Sequence, residues 1–548
     1  MKSFFAWFAI VLFWALIYLP GLGDLEIKGE EWRRTLPGRT MLQNNDWLVP
    51  RSGGEPYVRK PPLINWATAT SFKLTGAQNE WTARLPSVLT VLAAALGMYA
   101  FSRRWMGCQA AFVGTFFFLL SAGMVEKGRI AELEVYYIAF TGLAFAAWMA
   151  GFAGTLNRYA AWLWAGFFLG LGMLTKGPMH LLFFYAMVVG ACWKTKRWKE
   201  IFSLPHFTGL ALCLGLFLAW AIPFANSYGQ LMGKSGWDVL EFWGDQMSSR
   251  ATGKSKTSLE DWLVRGPRAL VMFLPWVLFL PLWWKRKVLD AAFPETSTQK
   301  LFIGLRWGAV ASFAFMIFLP SSSARYVAPL LAPVLLMIAW IVTNSASQLS
   351  ANVFKTWLRI VFGLLILGTL TLLIAPWFLS GIPDYPILTW IAWIVCFGVA
   401  AGIVWLSARE SGWQNLNTLL LSTGLAVSMI VACLVFAGHP LMSKKEDIRA
   451  LSLEIRKAVE PNDSTLYVFD LGQVPYPFYF PEDALEIASK KELPEKGVKW
   501  LLTTEKEEIK NREWFGKRYG NVVKRDEFVS TWGDRQKGDK LVLLRFGL

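Results

Sequence analysis

The sequence predicts a polytopic α-helical membrane protein with about 13 transmembrane helices and a small C-terminal α/β domain outside the membrane. Two observations support this prediction. Apolar blocks recur along residues 1–440, whereas residues 441–548 are charged and contain alternating apolar runs. Hydrophobic residues make up 54% of the 548-residue chain and charged residues only 17%, although about a quarter of a soluble domain is usually charged.

Most apolar blocks approach the roughly 20 residues that a helix needs to cross a bilayer. The first block, 3–19, lacks a small-residue cleavage site, so we interpret it as an uncleaved span rather than a signal peptide. Hydropathy predicts spans at 3–19, 85–101, 108–124, 135–153, 159–174, 178–193, 207–223, 269–284, 302–319, 327–343, 358–379, 387–406 and 417–437.

Basic residues predict the orientation of these spans. They cluster at block ends, as at Arg103, Arg104 and 194–199, which indicates a cytoplasmic N-terminus in the cytoplasmic (inner) membrane. An odd number of spans then sends the C-terminal domain to the extracytoplasmic, periplasmic side, together with the outer loops 20–84 and 224–266. The formal charge of +16 therefore matches anionic membrane lipids, and no nucleic-acid partner is expected.

The second predicted domain, 441–548, mixes helical and strand periodicity. Its predicted helices are 444–459 and 505–514, and its predicted strands are 465–470, 498–503 and 540–545. The sequence therefore predicts a small α/β fold for this segment, and a separate transmembrane domain for 1–440.

The loop after the first span contains the run GEEWRR at 29–34. Adjacent carboxylates followed by arginines can serve as a base beside a phosphate site. The same pattern is typical of the polar start of a surface helix, where acidic residues interact favourably with the helix dipole. From the pattern alone, the helix start is the more common explanation.

The same loop continues with GEPYVRKPP at 54–62. Its double proline fixes the backbone direction and would aim Arg59 and Lys60 at a defined point above the membrane. Cations held at that point suit a lipid phosphate. Cationic side chains that only extend to lipid headgroups explain the run equally well.

Two short outer turns hold further charged side chains. In the run EKGRIAELE, Glu132 and Glu134 offer hard oxygen ligands to Mg²⁺ or Mn²⁺, and a solvated turn with internal salt bridges is an equal alternative. In the turn TKGP, Lys176 lies at the membrane boundary, where an ionisable group is a functional candidate, although a lysine extending to the headgroups is also possible. Arg325 and Tyr326 occupy a similar position at the end of another span.

Together and in this order, these segments resemble the GT-C glycosyltransferases of the lipid A aminoarabinose transferase and protein O-mannosyltransferase type. The resemblance extends over residues 1–340, and the rest of the chain matches only in architecture. It rests on NDWLVPRSGGEPYVRKPPLINW at 45–66, EWTARLPS at 80–87, GRIAELEV at 128–135, GMLTKGPM at 172–179 and SSSARYVAPLLAP at 321–333.

The resemblance implies a GT-C-like fold and transfer of a sugar from a polyprenyl-phosphate donor of the undecaprenyl-phosphate type. The acceptor would be a lipid, a glycan or a protein. Glu30 matches the family's catalytic Asp, which orients or deprotonates the acceptor hydroxyl, Glu31 matches the second acid, and Glu134 matches the Asp of a second acidic motif linked to metal or acceptor. The residues expected to bind substrate are Arg33, Tyr57, Arg59, Lys60, Arg84, Arg129, Lys176, Arg325 and Tyr326.

The chain also departs from the family pattern. Glu30 and Glu134 replace aspartates, Arg59 stands where a glutamate is common, and this leaves metal dependence open. Gln246 stands where some relatives have a histidine. A catalytically degenerate protein that binds lipid-linked sugars or assists a flippase is therefore the alternative hypothesis. A secondary transporter would need repeated halves and interrupted helices, which the sequence does not show. The leading hypothesis requires the charged outer side chains to converge in one cavity.

Overall fold

The computed structural model describes most of the chain. The described residues are 3–27, 29–233, 235–236, 238–239, 241, 243–245, 259–320, 322–346, 351–378, 394–395, 398, 402, 405, 409, 416–439, 442, 447–459, 465–472, 474–481, 484–529 and 540–547. Two sequence predictions lie mostly or wholly outside these residues, namely the span 387–406 and the position of Gln246.

The described part of the chain is mainly helical. In chain order its α-helices are α1 (Ser3–Tyr18), α2 (Trp32–Asn44), α3 (Leu63–Thr75), α4 (Glu80–Met106), α5 (Cys108–Leu120), α6 (Ala122–Lys127), α7 (Leu133–Phe152), α8 (Arg158–Lys176), α9 (Met179–Thr195), α10 (Leu204–Met232), α11 (Leu259–Val271), α12 (Arg286–Ala292), α13 (Thr296–Phe318), α14 (Leu331–Asn344), α15 (Ala351–Phe378), α16 (Leu416–Cys433), α17 (Ile448–Ala458) and α18 (Glu505–Tyr519). Short 3₁₀ helices occur at Trp198–Glu200, Trp276–Trp284, Ala324–Leu330 and Tyr476–Tyr479, and a π-helical turn follows α16 at Leu434–Gly438.

The strands fall into two sheets. They are β1 (Arg51–Ser52), β2 (Glu55–Pro56), β3 (Leu466–Phe469), β4 (Leu485–Ile487), β5 (Trp500–Thr504), β6 (Val522–Val529) and β7 (Lys540–Phe546). The first two strands form a short antiparallel hairpin, and the other five form one mixed sheet.

The chain forms two compact units, which we describe separately. The helical unit comprises Met1–Leu22, Ser87–Ile222 and Trp237–Leu441. The sheet unit comprises Gly23–Pro86, Pro223–Gly236 and Met442–Leu548. The first outer loop and the C-terminal segment therefore belong to the same compact unit. The predicted domain boundary at residue 440 stays a prediction.

The chain is a multi-pass helical membrane protein. Among the described residues, six helices are long and apolar enough to cross a bilayer, and a pair bent by 105° would make a seventh span. Apart from 387–406, each predicted span overlaps one or two helices, with the 105° bend lying inside the span 269–284, and several of these helices have only 13 to 17 residues. Such helices measure about 20 to 26 Å, which is shorter than the roughly 30 Å hydrocarbon core. The structure thus supports multiple spans, but not the specific count of thirteen.

Glycines allow the long helices of the helical unit to touch backbone to backbone. Gly190 of α9 faces Gly304 of α13, and a Cβ built on Gly304 would lie 2.3 Å from the Gly190 carbonyl oxygen. One turn away, a Cβ on Gly308 would lie 2.3 Å from the carbonyl oxygen of Ala186. Inside a bilayer the hydrophobic effect does not drive helices together. Small residues at such crossings let the two backbones approach closely, and van der Waals packing then stabilises the contact.

The five-stranded sheet has the order β4-β3-β5-β7-β6. Strand β3 runs parallel to β4 and β5, whereas β7 runs antiparallel to β5 and β6. Alternate side chains of β3, β5 and β7 enter two apolar clusters, one packed with residues of α17 and the other with residues of α18. The predicted strands β3, β5 and β7 and both predicted helices are present.

Two strands of this sheet were not predicted. Strand β6 is an edge strand in which Phe528 is the only buried residue, so it has no alternating apolar pattern to read. Strand β4 has three residues, which is too short to show a period.

A glycine-to-alanine change tests the helix crossing. We expect Gly304→Ala to lower the free energy of unfolding by about 1 to 3 kcal/mol, because the new methyl group would overlap the Gly190 backbone. Thermal unfolding of the purified protein in detergent measures the effect. Gly363→Ala in α15 is the matched control, since nothing lies within 4 Å of its Cβ. Equal unfolding temperatures for the two variants would contradict the backbone contact.

Candidate active site

Glu31 forms a buried ion pair with Arg84 in the sheet unit. The Arg84 guanidinium donates to both carboxylate oxygens, at 2.8 and 2.9 Å, and both side chains are 5% exposed. Arg84 also donates to the backbone carbonyls of Leu25 and Glu26. A buried charge that loses its partner is strongly destabilising, so this pair fixes the loop that precedes α2. The Glu31 carboxylate is therefore buried in this ion pair, and its predicted catalytic role stays a prediction.

Glu30 is the exposed member of the acidic pair. Its carboxylate accepts a hydrogen bond from Arg33 at 2.8 Å and lies 3.5 Å from Arg34, and 32% of its side chain is exposed. Both arginines lie in the first turn of α2, three and four residues after Glu30, which is the spacing of neighbours on a helix. The carboxylate is thus accessible and held in place, as a catalytic base must be.

Arg34 is a site residue that the sequence prediction missed. Its side chain is 7% exposed, and its guanidinium both contacts Glu30 and donates to the hydroxyl of Tyr57. The backbone carbonyl of Arg34 accepts a hydrogen bond from Asn65 of α3 at 2.8 Å. Arg34 therefore ties the acidic pair to the buried Tyr57. Arg34 is the second arginine of the run GEEWRR, and this position was the sequence feature that could have identified it.

The hairpin of β1 and β2 orders the segment that contains Tyr57. Gly53 and Gly54 form its turn with φ values of 63° and 80°, a conformation that side chains rarely adopt. A Cβ on Gly54 would lie 2.5 Å from the backbone nitrogen of Ala488. The Gly53 N–H donates to the Glu486 carboxylate at 2.6 Å. Burial raises the pKa of Glu486, although Arg39 and the Gly53 N–H oppose this shift.

Arg59 and Lys60 follow the hairpin. Arg59 is exposed and has no ion pair with any residue that the structure describes, whereas Lys60 is half-buried and has polar contacts. The prolines at 61–62 lead directly into α3. The double proline therefore leads into a helix, and the predicted placement of Arg59 and Lys60 beside a lipid phosphate stays a prediction.

The C-terminal segment also contacts the loop between α1 and α2, which we call the acidic loop. Arg449 of α17 contacts the Glu80 carboxylate and the Asp24 carbonyl, and its backbone N–H donates to Glu26 at 3.0 Å. The Tyr479 hydroxyl accepts a hydrogen bond from the Ile27 N–H at 2.6 Å. Burial and nearby Glu80 raise the pKa of Tyr479, so this hydroxyl stays protonated at physiological pH. The described residues of this loop, 24–27 and 29–31, are thus fixed by Arg84 and by the C-terminal segment.

Glu134 and Lys176 form the second cluster, in the helical unit. Lys176 Nζ lies 2.8 Å from Glu134 Oε1, with 6% of the Glu134 side chain and 14% of the Lys176 side chain exposed. Arg325 Nε lies 3.9 Å from the same oxygen and is more exposed. The ammonium of Lys176 also lies 5.3 Å from the ring centre of Tyr326 and 5.7 Å from that of Tyr137. The structure therefore brings together four predicted site residues and Tyr137; the four are Glu134, Lys176, Arg325 and Tyr326.

Tyr137 and His180 support this cluster from within. The Tyr137 hydroxyl donates to the Gly177 carbonyl and accepts from the His180 N–H, both at 2.9 Å. The His180 ring contacts the carbonyls of Gly177 and Leu169 and is fully buried. The sequence prediction missed Tyr137, which lies one helical turn after Glu134. These bonds keep the turn between α8 and α9 in one conformation.

The EKGRIAELE turn also contains internal ion pairs. Lys127 Nζ lies 2.8 Å from Glu126 and 3.2 Å from Glu132. Burial alone would lower the pKa of Lys127, but these carboxylates raise it overall. Arg129 is buried, and its guanidinium donates to the backbone carbonyls at 17 and 20. Its predicted role with substrate stays a prediction.

Both predicted metal ligands, Glu132 and Glu134, lie in ion pairs. Glu132 pairs with Lys127, and Glu134 pairs with Lys176 and Arg325. Within the described ranges, no group of three His, Cys, Asp or Glu residues could hold a metal ion. These two carboxylates therefore fit an ion-pair network better than a Mg²⁺ or Mn²⁺ site. Metal dependence stays a prediction, and no step below uses a metal.

Removal of Arg84 tests the buried ion pair. We expect Arg84→Met to lower the free energy of unfolding by about 3 to 5 kcal/mol, because Glu31 would be left buried without its partner. Arg33→Met removes an exposed pairing with Glu30 and should cost under about 1 kcal/mol. Thermal unfolding of both variants compares them. If Arg84→Met and Arg33→Met lower the free energy of unfolding by similar amounts, the buried ion pair does not stabilise the fold more than the exposed one.

Removal of Arg449 tests the contact between α17 and the acidic loop. We expect Arg449→Met to increase amide hydrogen exchange along 24–31 by about tenfold, because hydrogen bonds to charged groups hold this loop closed. Hydrogen-exchange mass spectrometry measures the change. Arg456→Met on the exposed side of the same helix is the control and should leave the exchange unchanged. Unchanged protection in Arg449→Met would show that other contacts hold the loop.

Comparison with known proteins agrees with the sequence resemblance. Residues 59–222 match the family model of dolichyl-phosphate-mannose-protein mannosyltransferases. The chain is 24% identical over 521 residues to the undecaprenyl phosphate-alpha-4-amino-4-deoxy-L-arabinose arabinosyl transferase of Edwardsiella ictaluri, covering 90% of this chain and 91% of that protein. It is 27% identical over 388 residues to the protein of the same name from Erwinia tasmaniensis, covering 68% and 66%.

A solved structure has the same fold. The crystal structure of ArnT from Cupriavidus metallidurans bound to undecaprenyl phosphate superimposes with a TM-score of 0.64 at 19% identity, covering 99% of this chain and 96% of that one. The apo form of that protein gives a TM-score of 0.62. With the ordered motifs, these comparisons show that the chain is similar to the aminoarabinose transferases over most of its length and to the protein mannosyltransferase family over residues 59–222.

Proposed function

We propose that this protein transfers a sugar from a polyprenyl-phosphate donor, of the undecaprenyl-phosphate type, to a hydroxyl group of a lipid, glycan or protein. The observation that supports it most directly is Glu30, an accessible carboxylate held by two arginines beside a buried ion pair. The similar proteins named above use an undecaprenyl phosphate-linked sugar or bind undecaprenyl phosphate.

The proposal includes an orientation in the cytoplasmic membrane. The N-terminus would lie in the cytoplasm, about 13 spans would cross the bilayer, and the C-terminal α/β segment would be extracytoplasmic. The basic residues at the ends of the apolar blocks support this orientation. The ion pair of Arg449 with Glu80 is also consistent with this orientation. Residues that contact each other must lie on one side of the membrane, and the orientation places both the loop 20–84 and the C-terminal segment on the outer side.

Glu30 is the general base of the proposed reaction. Its carboxylate takes the proton of the acceptor hydroxyl while that oxygen forms a bond to the anomeric carbon of the sugar. The bond between the anomeric carbon and the phosphate oxygen breaks, and its electron pair leaves with the polyprenyl phosphate. Attack from the opposite face inverts the configuration. Arg33 and Arg34 hold the carboxylate so that it meets the hydroxyl in a defined direction.

Cationic side chains stabilise the leaving phosphate. Arg59 and Lys60 are the proposed ligands in the sheet unit, and Arg59 is exposed without a competing carboxylate among the described residues. In the helical unit, Glu134 offsets part of the positive charge of Lys176 and Arg325. These three residues are proposed to bind the polar part of donor or acceptor. That both clusters serve the same reaction remains a prediction.

The second candidate is a non-catalytic protein that binds lipid-linked sugars or assists a flippase. Glutamate in place of aspartate at Glu30 and Glu134 favours this alternative, since each carboxylate is moved outward by one methylene. A displacement of about 1 Å can reduce catalysis by about 100-fold. Turnover by the purified protein separates the two candidates.

Glu30→Gln tests the proposed mechanism. We expect the rate of sugar transfer to fall about 100- to 10,000-fold without loss of folding, because the amide cannot accept the proton. The assay follows release of polyprenyl phosphate from a radiolabelled undecaprenyl-phosphate sugar by reconstituted protein. Glu55→Gln is the control, since Glu55 is an exposed carboxylate on the same loop.

Three outcomes of this assay are informative. Full activity of Glu30→Gln would remove Glu30 from the mechanism. Binding of the donor by the wild-type protein without any turnover would favour the non-catalytic candidate. Failure to bind any polyprenyl-phosphate sugar would contradict both.

A further inference from the structure

The helical unit contains a cavity of about 460 Å³ that is separate from the Glu134 cluster. It is lined by residues from the C-terminal ends of α7 and α9 and from the start of α13. Glu134 lies at the opposite end of α7, a helix of 20 residues. At 1.5 Å per residue the two sites are about 30 Å apart. The cavity therefore belongs to the other end of the helical unit.

The polar lining of this cavity consists of cations and hydroxyl groups. No aspartate or glutamate is among its described lining residues. The polar residues that line it are Thr195, Arg197, Thr296, Ser297, Thr298 and Lys300. Such a lining offers hydrogen-bond donors and positive charge, and an oxyanion with several acceptor oxygens is the ligand that matches both.

Arg197 is held rigidly at the edge of the cavity. One of its nitrogens donates to the Phe152 carbonyl at 2.7 Å and another to Glu200 at 2.8 Å, and its guanidinium lies 4.0 Å from the ring centre of Phe152. Because Glu200 also pairs with Arg158, it offsets only part of the positive charge. Lys300 is exposed and has no ion pair in the part of the chain that the structure describes.

The start of α13 adds further donors. Its first three residues, Thr296, Ser297 and Thr298, line the cavity, and Glu295 before them provides no side-chain cap for the backbone amides. The Thr298 hydroxyl donates a weak hydrogen bond to the Glu295 carboxylate at 3.4 Å. Uncapped amides at a helix start attract anions, which strengthens the preference that the cations already establish.

We propose that this cavity binds a phosphate group, supplied either by an anionic lipid headgroup or by free phosphate. The apolar part of the lining includes Met149, Phe152 and Trp340, so a lipid could place its headgroup on Arg197 and Lys300 and its chain against these side chains. The site serves a different purpose from sugar transfer, and its occupancy does not depend on the proposed function.

Native mass spectrometry of the purified protein tests this site. Phosphatidylglycerol and diacylglycerol, which has the same acyl chains but no phosphate, are added separately at equal concentrations, and the bound fraction is measured for each. We expect phosphatidylglycerol to bind preferentially to the wild-type protein. Lys300→Gln should lower its bound fraction about threefold or more, because a charged hydrogen-bond donor is lost.

Lys199→Gln is the matched control. It removes one positive charge from an exposed side chain two residues after Arg197, but Lys199 does not line the cavity. Lipid binding should therefore remain as in the wild-type protein. A parallel titration with inorganic phosphate and no lipid distinguishes the two sources. Saturable phosphate binding that Lys300→Gln weakens, without selective lipid retention, assigns the site to free phosphate.

Two results would overturn the proposal. Equal binding of phosphatidylglycerol and diacylglycerol, without saturable binding of inorganic phosphate, would show that the cavity selects only an apolar chain. Equal losses in Lys300→Gln and Lys199→Gln would show that the net charge of this end of the protein, and not the cavity, attracts the anion.

Discussion

The buried ion pair of Glu31 and Arg84 is the constraint on which the arrangement of the acidic loop depends. Both side chains are almost completely removed from solvent, where a single unpaired charge is very costly. Arg84 satisfies this charge and also two backbone carbonyls, so the loop before α2 cannot shift without breaking several bonds together. The position of Glu30, the preceding residue, is fixed by the same bonds, while its carboxylate stays accessible.

The C-terminal segment completes the same framework from more than 360 residues away in the sequence. Arg449 reaches Glu80 and Glu26, while Tyr479 reaches Ile27. An apolar cluster that includes Trp32, Phe72 and Phe478 fills the space beneath these polar contacts. The C-terminal segment therefore orders the loop that carries the proposed base, through α17 and the 3₁₀ helix at Tyr476–Tyr479. This explains why the acidic loop and the sheet fall into one compact unit.

The helical unit is organised by contacts of a different kind. Glycines bring α9 and α13 together along their backbones, which makes the crossing rigid without polar bonds inside the bilayer. Charged side chains gather at the helix ends instead. One end carries Glu134, Lys176 and Arg325, and the other carries the cationic cavity lined by Arg197 and Lys300. Ion pairs and aromatic rings around Lys176 limit how much of its charge is free to attract a ligand.

The sequence alone determined the multi-pass helical fold and the core strands of the C-terminal sheet, because apolar residues recur with periods that only those elements share. It also identified the motifs whose order resembles the GT-C glycosyltransferases. Edge strand β6 escaped prediction, since an exposed strand has no buried face and leaves no alternating pattern. The number of spans was not determined either, because hydropathy measures how apolar a run is and not how far its helix extends.

Only the tertiary structure distinguished the roles of neighbouring charges. Glu30 and Glu31 look equivalent in sequence, yet Arg84 comes from a helix that begins about 50 residues later and buries only Glu31. Likewise, Arg34 and Tyr137 became site residues through contacts with Tyr57 and Lys176. The physical reason is that burial and ion pairing depend on distances between segments that are remote along the chain. Local spacing and composition contain no information about those distances.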